Sequence, residues 1–382
     1  IRQLTCLNTL DLSICEHIAD LSPVTGLTQL HTLELAGCSA LTDLEPISRL
    51  EKLRNLNLAF CELLSDLSAI RGLTELRTLH LDGCTALVDL SPLGNLTQLS
   101  TLSLSSCADV KDISSLSLLT KMTHLELSGC KALVDISPLR AMTELEILNL
   151  SESWSLADIS PLSGLANLKI LNLSMSALTY FEGLEGLFNM SSIDLSFCPN
   201  LVDVSGLQSA KSISDLALND CDSLTDLSPL AGLAKLESLN IERCTELNDP
   251  QYWWPLEHLP SLNKLSCDLP KWFVTRTLAR AALGRADREV AAKSIEDWLE
   301  TVNSRPETQG LLTAVGGCAA LLAPAESTYT NSPTFGTHLA MWLSGVFNQQ
   351  IIQNDNGVWE AVSILHTDGG DYRFGKFLAP SR

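Results

Sequence analysis

Aromatic side chains are scarce in this 382-residue chain: Phe, Trp and Tyr together make up 5% of it, against 45% hydrophobic residues overall. Its core must therefore be aliphatic. Cations are scarce as well, with 25 Lys and Arg against 45 Asp and Glu, a formal charge of −20. The imbalance belongs to the first part: residues 1–267 hold 15 basic and 33 acidic residues, and 268–382 hold 10 and 12. Such a surface repels phosphate, which argues against nucleic acid and anionic membrane as partners and for a protein with a basic surface. No apolar run reaches the roughly 18 residues of a membrane span. No charged and apolar leader opens the chain, so a signal peptide is expected to be absent or removed. Ile1 falls inside a repeat, as in a fragment or processed product. Clustered C-x-x-C pairs are missing too, so the twelve cysteines do not read as zinc ligands. A chain of this length is expected to hold two units unless a repeat array extends one of them.

What the chain does have is a period. Cys15, Cys38, Cys61, Cys84, Cys107 and Cys130 recur at a step of 23, and Ser153 and Ser176 keep it. The next interval is 22, to Cys198, and Cys221 and Cys244 return to 23. Five and three residues before each lies an aliphatic pair, from Leu10 and Leu12 to Leu239 and Ile241. Eleven turns match over residues 4–249. A twelfth follows an insertion of three residues near Gln251 to Trp253, which realigns Pro255, Leu256, Leu259, Leu262 and Leu265. In that register Cys267 takes a strand position, and its distance from Cys244 is a coincidence. Each L-x-L predicts a short strand with alternate residues inward, stacked turn on turn into a parallel sheet. Each D-[LI]-S-P-L, as in Asp89-Leu90-Ser91-Pro92-Leu93, predicts a short helical turn capped by Asp or Ser with proline at its first position. One turn cannot bury its leucines alone, so the array folds cooperatively.

The pattern L-x-x-L-x-L-x-x-C-x-x-L resembles the leucine-rich-repeat family, and its D-I-S-P-L segment is most similar to bacterial internalin-type repeats, with Cys in place of their usual Asn. The resemblance implies an α/β solenoid over residues 1–269, curved, with a parallel sheet on the concave side and short helical turns on the convex side. It also implies a non-enzymatic recognition scaffold, standing alone or as the ligand-sensing end of a larger receptor.

Two ladders run along the array. Nine cysteines hold the inward asparagine position, where parallel side chains cannot form bridges and Ser153 and Ser176 substitute freely. They read as buried, reduced thiols with weak S–H donors, which places the chain in the cytoplasm or in a secreted or translocated effector. The second ladder, Asp20, Asp43, Asp66, Asp89, Asp112, Asp135, Asp158, Asp203, Asp226 and Asp249, reads as capping. A calcium ladder would need glycine-rich turns with several ligands per repeat. No metal or cofactor is expected. His80 and His124 lie on different turns with no nucleophile in register, so no catalytic triad is expected either.

The concave face carries small, polar and acidic side chains, among them His80, Asp82, Glu126 and Asp194. The next column is different: Ile14, Phe60, Met175 and Phe197, with Trp154 placed at or beside the same edge. Aromatics among polar residues have the composition of a binding hot spot. Phe60, His80, Asp82, Glu126, Trp154, Met175, Asp194 and Phe197 are therefore the candidate partner-binding residues.

After Leu269-Pro270 the period stops, and 270–382 reads as a mostly helical capping or accessory domain ending in a hairpin. Helices are expected over 271–283, 286–303, 307–323 and 334–352, a turn at Asn354 to Gly357, and strands over Val358 to His366 and Tyr372 to Phe377. Lys271, Arg276, Arg280, Arg285, Arg288 and Lys293 form a basic stripe for an acidic surface. A catalytic C-terminal domain with the repeats choosing its substrate is the alternative, and Cys318, His338, His366 and Asp368 are its candidate groups. Cys318 sits in an apolar segment, where an inert thiol is expected.

Overall fold

The computed structural model describes residues 3–182, 186–247, most of 250–269, a few positions between 274 and 281, and strands at 349–353, 359–367 and 370–378. Two compact units emerge: Ile1–Leu259 with Lys264–Asp268, and Pro260–Asn263 with Leu269–Arg382.

The first unit is a single sheet of twelve parallel strands in sequence order. Each strand is short, from Thr9–Asp11 to Lys264–Cys267. The register is set by the repeat: Leu10 lies opposite Leu33, and Leu33 opposite Leu56. It shortens to 22 where Ile170 meets Ser192 and lengthens to 26 where Ser238 meets Lys264. Cys267 pairs with Ile241, a strand position, as its leucine neighbours predict. The insertion forms a one-turn α-helix, Pro250–Trp253.

Opposite the sheet, among the described residues nine turns carry 3-10 helices of three or five residues, such as Ser91–Asn95 and Ser228–Gly232. In the six D-x-[SE]-P turns, proline stands at the second helical residue, where its missing N–H leaves no bond unmade. The expected first position is taken by Ser, or by Glu45. The core is an aliphatic stack: Leu33, Leu56, Leu79, Leu102 and Leu125 are all at most 1% exposed. Each buried leucine contributes about 1.5–3 kcal/mol, which only its neighbouring turns make available.

In the second unit, Gln349–Gln353, Trp359–Thr367 and Gly370–Leu378 form a three-stranded antiparallel sheet. The strands expected over Val358 to His366 and Tyr372 to Phe377 are present, but the helix expected over 334–352 is corrected at its end. Gln349–Gln353 pairs with Trp359–Thr367 instead, because β-branched Ile351 and Ile352 favour a strand once a partner lies across a short connection. The helices over 286–303 and 307–323, all six cations of the basic stripe, the turn at Asn354 to Gly357, Cys318, His338 and Asp368 lie outside the described residues.

Candidate recognition surface

The residue just before each cysteine position adopts a left-handed backbone in eleven successive turns. Eight are not glycine: Ile14, Phe60, Ser106, Glu152, Met175, Phe197, Asp220 and Arg243, with φ between 56° and 62°. Gly37, Gly83 and Gly129 complete the column, at φ 67° to 74°. The bend from strand to interior imposes this conformation. Cys38 N–H closes a four-residue turn on Leu35 C=O (3.1 Å), and the positive φ at its third residue is that of a type II turn rather than the commoner type I. The left-handed residue in turn donates its own N–H to the next turn, as Phe60 does to Asp82 C=O and Met175 to Ser196 C=O (2.9 Å). At the last left-handed rung, Asp268 Oδ2 accepts from Arg243 N–H (2.6 Å) in place of a backbone carbonyl. The conformation costs an L-residue about 1 kcal/mol or more, and bulky side chains are rare in it. Here it carries Ile14, 78% exposed, Phe60, 58%, and Phe197, 39%.

The candidate residues gather into two groups along this edge. In the first, Phe60 N–H binds Asp82 C=O, His80 Nδ1 lies 3.8 Å from Asp82 Oδ2, and the Ser103 hydroxyl donates to Asp82 Oδ1. Burial raises the Glu126 carboxyl above its ordinary range, opposed by a hydrogen bond with Asn149, and the Asp82 charge adds to the rise. In the second, Met175 and Phe197 occupy successive rungs, and Asp194 lies beside them. Asp194 Oδ1 accepts from the N–H (2.9 Å) and hydroxyl (2.6 Å) of Ser196, so it braces the bend rather than facing solvent freely. Asn57, Asn149, Asn172 and Asn240 brace their bends in the same way.

Trp154 belongs to neither group by position. Glu152 holds the left-handed rung of its turn, and buried Ser153 separates the two. Trp154 is half exposed on the two-residue turn that follows the bend. The next turn has only Ala177 at the corresponding place, so Trp154 flanks a one-residue gap in the stack. The left-handed column itself escapes a reading of side-chain types. Its one sequence signal was glycine recurring at 37, 83 and 129.

The two ladders are structural. Eight thiols donate to the second leucine carbonyl of the preceding turn, from Cys38 to Leu12 C=O (3.4 Å) through Cys244 to Leu218 C=O (3.0 Å). None of the eleven described cysteines is in a disulfide. Burial pushes Cys84 and Cys130 up to about 12 and Cys61, Cys107 and Cys244 to about 11, so these thiols stay protonated and unreactive. The aspartates accept from the serine two residues on. Asp89 takes Ser91 N–H (2.8 Å) on Oδ1 and the Ser91 hydroxyl (3.0 Å) on Oδ2. These bonds hold Asp66 and Asp112 below the usual carboxylate range. Among the described residues no cluster of His, Cys, Asp and Glu is arranged to hold a metal ion, and no helix is long and apolar enough to cross a membrane.

No family model matches the sequence, and no curated protein matches it. Solved structures do. An internalin (inlF) of Listeria monocytogenes is 24% identical and superposes with a TM-score of 0.61, over 71% of this chain and 82% of that one. A leucine-rich-repeat protein of Leptospira interrogans is 19% identical, covering 73% and 90%, with a TM-score of 0.43. The functional domain of InlJ from Listeria monocytogenes, described as including a cysteine ladder, is 19% identical, covering 73% and 67%, with a TM-score of 0.42. The likeness to the inlF internalin and the 23-residue register of twelve parallel strands together establish the fold as a leucine-rich-repeat solenoid.

Proposed function

We propose that the chain is a non-enzymatic recognition scaffold that binds a protein with a basic surface along the sheet side of its repeats. One observation carries this reading: bulky apolar side chains stand exposed, in a backbone conformation that disfavours them, beside a column of acidic and small polar groups. Exposed aromatics supply the few anchors that dominate an interface, and the acidic surround steers a cationic partner to them. The same charge disfavours nucleic acid and anionic membrane. The thiols, reduced and buried, suit a cytoplasmic protein, a translocated effector or the sensing end of a larger receptor. In this reading residues 1–269 recognise and 270–382 cap or assist. Cys318, His338 and Asp368, candidate groups of a catalytic C-terminal domain, lie outside the described residues.

The test is affinity capture by the full chain, compared with Trp154→Ala combined with Phe197→Ala. Partner recovery should fall more than roughly tenfold, about 1.4 kcal/mol, with unchanged melting, since neither side chain is in the core. Equal recovery by the double variant would remove these residues from the interface. Loss of folding would make them fillers of the irregular repeat.

A further inference from the structure

We infer that the first half of the left-handed edge, at Ile14, Gly37 and Phe60, is a docking notch for one apolar side chain carried on a lysine- or arginine-rich segment of a protein partner. The inference rests on the recognition reading above and names a place and a chemistry for it.

The fold demands a positive φ at this column whatever residue stands there, and glycine is the side chain that meets the demand without strain. Gly37, Gly83 and Gly129 take that course. Ile14 and Phe60 do not, although Ile14 is β-branched and Phe60 bulky, the types least suited to it. Packing does not account for them, because more than half of each remains exposed. Such outliers, persisting without a core to fill, mark function.

Their placement gives the notch its shape. Ile14 and Phe60 stand two turns apart, about 10 Å at ordinary strand spacing. Gly37 lies between them with no side chain. The Phe60 ring leans the other way, over Gly83, where an added Cβ would come within 2.6 Å of the ring. Ile14 borders the bare Gly37 position, its Cγ1 3.9 Å from where a Cβ would stand, which is ordinary contact and leaves that position unfilled between two apolar residues. Charge selects the occupant. From three residues before to two after each left-handed position, the first five turns contain Asp11, Glu16, Glu34, Glu62 and Asp82 and no Lys or Arg. An apolar side chain entering this notch arrives between carboxylates, which favours cations on either side of it.

The experiment selects peptides from a random display library on the full chain and measures their binding to Phe60→Gly, Phe60→Asn and Phe197→Gly. Asn tolerates the left-handed region and keeps the test independent of glycine's flexibility. The expected peptides share an apolar residue flanked by Lys or Arg. They lose roughly tenfold or more in affinity with both Phe60 variants, about 1.4 kcal/mol, while melting temperature is unchanged or higher. Peptides lost only with Phe197→Gly would overturn this site and leave the recognition reading standing. No retained peptide would overturn both. If both Phe60 variants melt lower, Phe60 is held for its packing on Gly83 and the notch is discarded.

Discussion

The turns from Cys38 to Cys130 and the turn of Ser176 are built to one plan with different parts. In the regular turns a thiol reaches back to the preceding carbonyl, an Asp accepts from the Ser or Glu that opens a 3-10 helix, and a two-residue turn follows the bend. The turn of Ser176 is one residue shorter and has a hydroxyl in place of the thiol. Tyr180 replaces the aspartate, and Phe181 is buried at 1% exposure. The sheet runs through it unbroken, with Leu171 still opposite Ile193. What the array conserves is therefore its strand ladder and its filled volume. The rungs that satisfy each bend are interchangeable.

The largest effect expected from this comparison concerns volume. Phe181→Ala should cost about 3–5 kcal/mol, as large-to-small changes in a filled core do. Urea unfolding of the full chain measures it. A cost below about 1 kcal/mol would mean that the shortened turn is loosely packed and that Phe181 is not its substitute for the missing parts. Gly206 gives a second reading of the same place. An alanine Cβ there would collide with the Phe181 carbonyl, which already accepts Gly206 N–H at 2.8 Å.

The next effect concerns the rungs. Ser176 Oγ finds Cys198 Sγ at 3.3 Å, whereas Ser153 Oγ is buried with no hydrogen-bond partner. A hydroxyl at this position is thus tolerated but unevenly satisfied. Cys84→Ser should cost about 1–3 kcal/mol without changing the fold, the range for a buried polar group left unpaired. The reverse change, Ser153→Cys, should stabilise by about 1 kcal/mol, because a longer thiol can reach Leu127 C=O as its neighbours reach theirs. If thermal unfolding shows Ser153→Cys to be neutral or harmful, the thiol ladder is only a volume filler. Thiol labelling near pH 8 completes the test: Cys84 and Cys130, raised to about 12 by burial, should react only after denaturation.

These contrasts also explain what was legible in the sequence. A 23-residue step fixes side-chain columns, so the strands, the inward cysteines and even the strand position of Cys267 follow from counting leucines. Backbone sign does not follow from counting. Phe60 and Met175 look like ordinary surface hydrophobes until φ is known, and only the glycines of their column hinted at it. Trp154 stands one position after the cysteine place of its turn, beside the edge rather than on it, because Glu152 holds the rung there. At Gln349–Gln353 the apolar run suits helix and strand alike, and the strand opposite decides. Asp82 and Asp194 were legible as acids on the sheet, but not as groups whose oxygens are engaged by Ser103 and Ser196.

The smallest expected effect tests whether the acidic face is held at a cost to the fold. Burial, with the Asp82 charge as a lesser cause, lifts the Glu126 carboxyl above its ordinary value of 4.5. A carboxyl whose folded value is raised binds its proton more readily in the native state than in the unfolded one. Its ionised form therefore destabilises the native state fully above the folded value. The penalty fades as pH falls through that value and is gone below the unfolded one. Glu126→Gln keeps the shape and removes the charge, so it should raise the melting temperature at pH 7. The gain should shrink through the weakly acidic range and vanish where ordinary carboxylates are protonated. Glu146, exposed and paired with Lys169 at 2.8 Å, is shifted the other way, so Glu146→Gln should give no such gain at pH 7. A Glu126→Gln variant that melts lower than the parent at pH 7 would mean that the bond to Asn149 outweighs burial. The acidic face would then be part of the fold's own stability, rather than a charge held ready for a cationic partner.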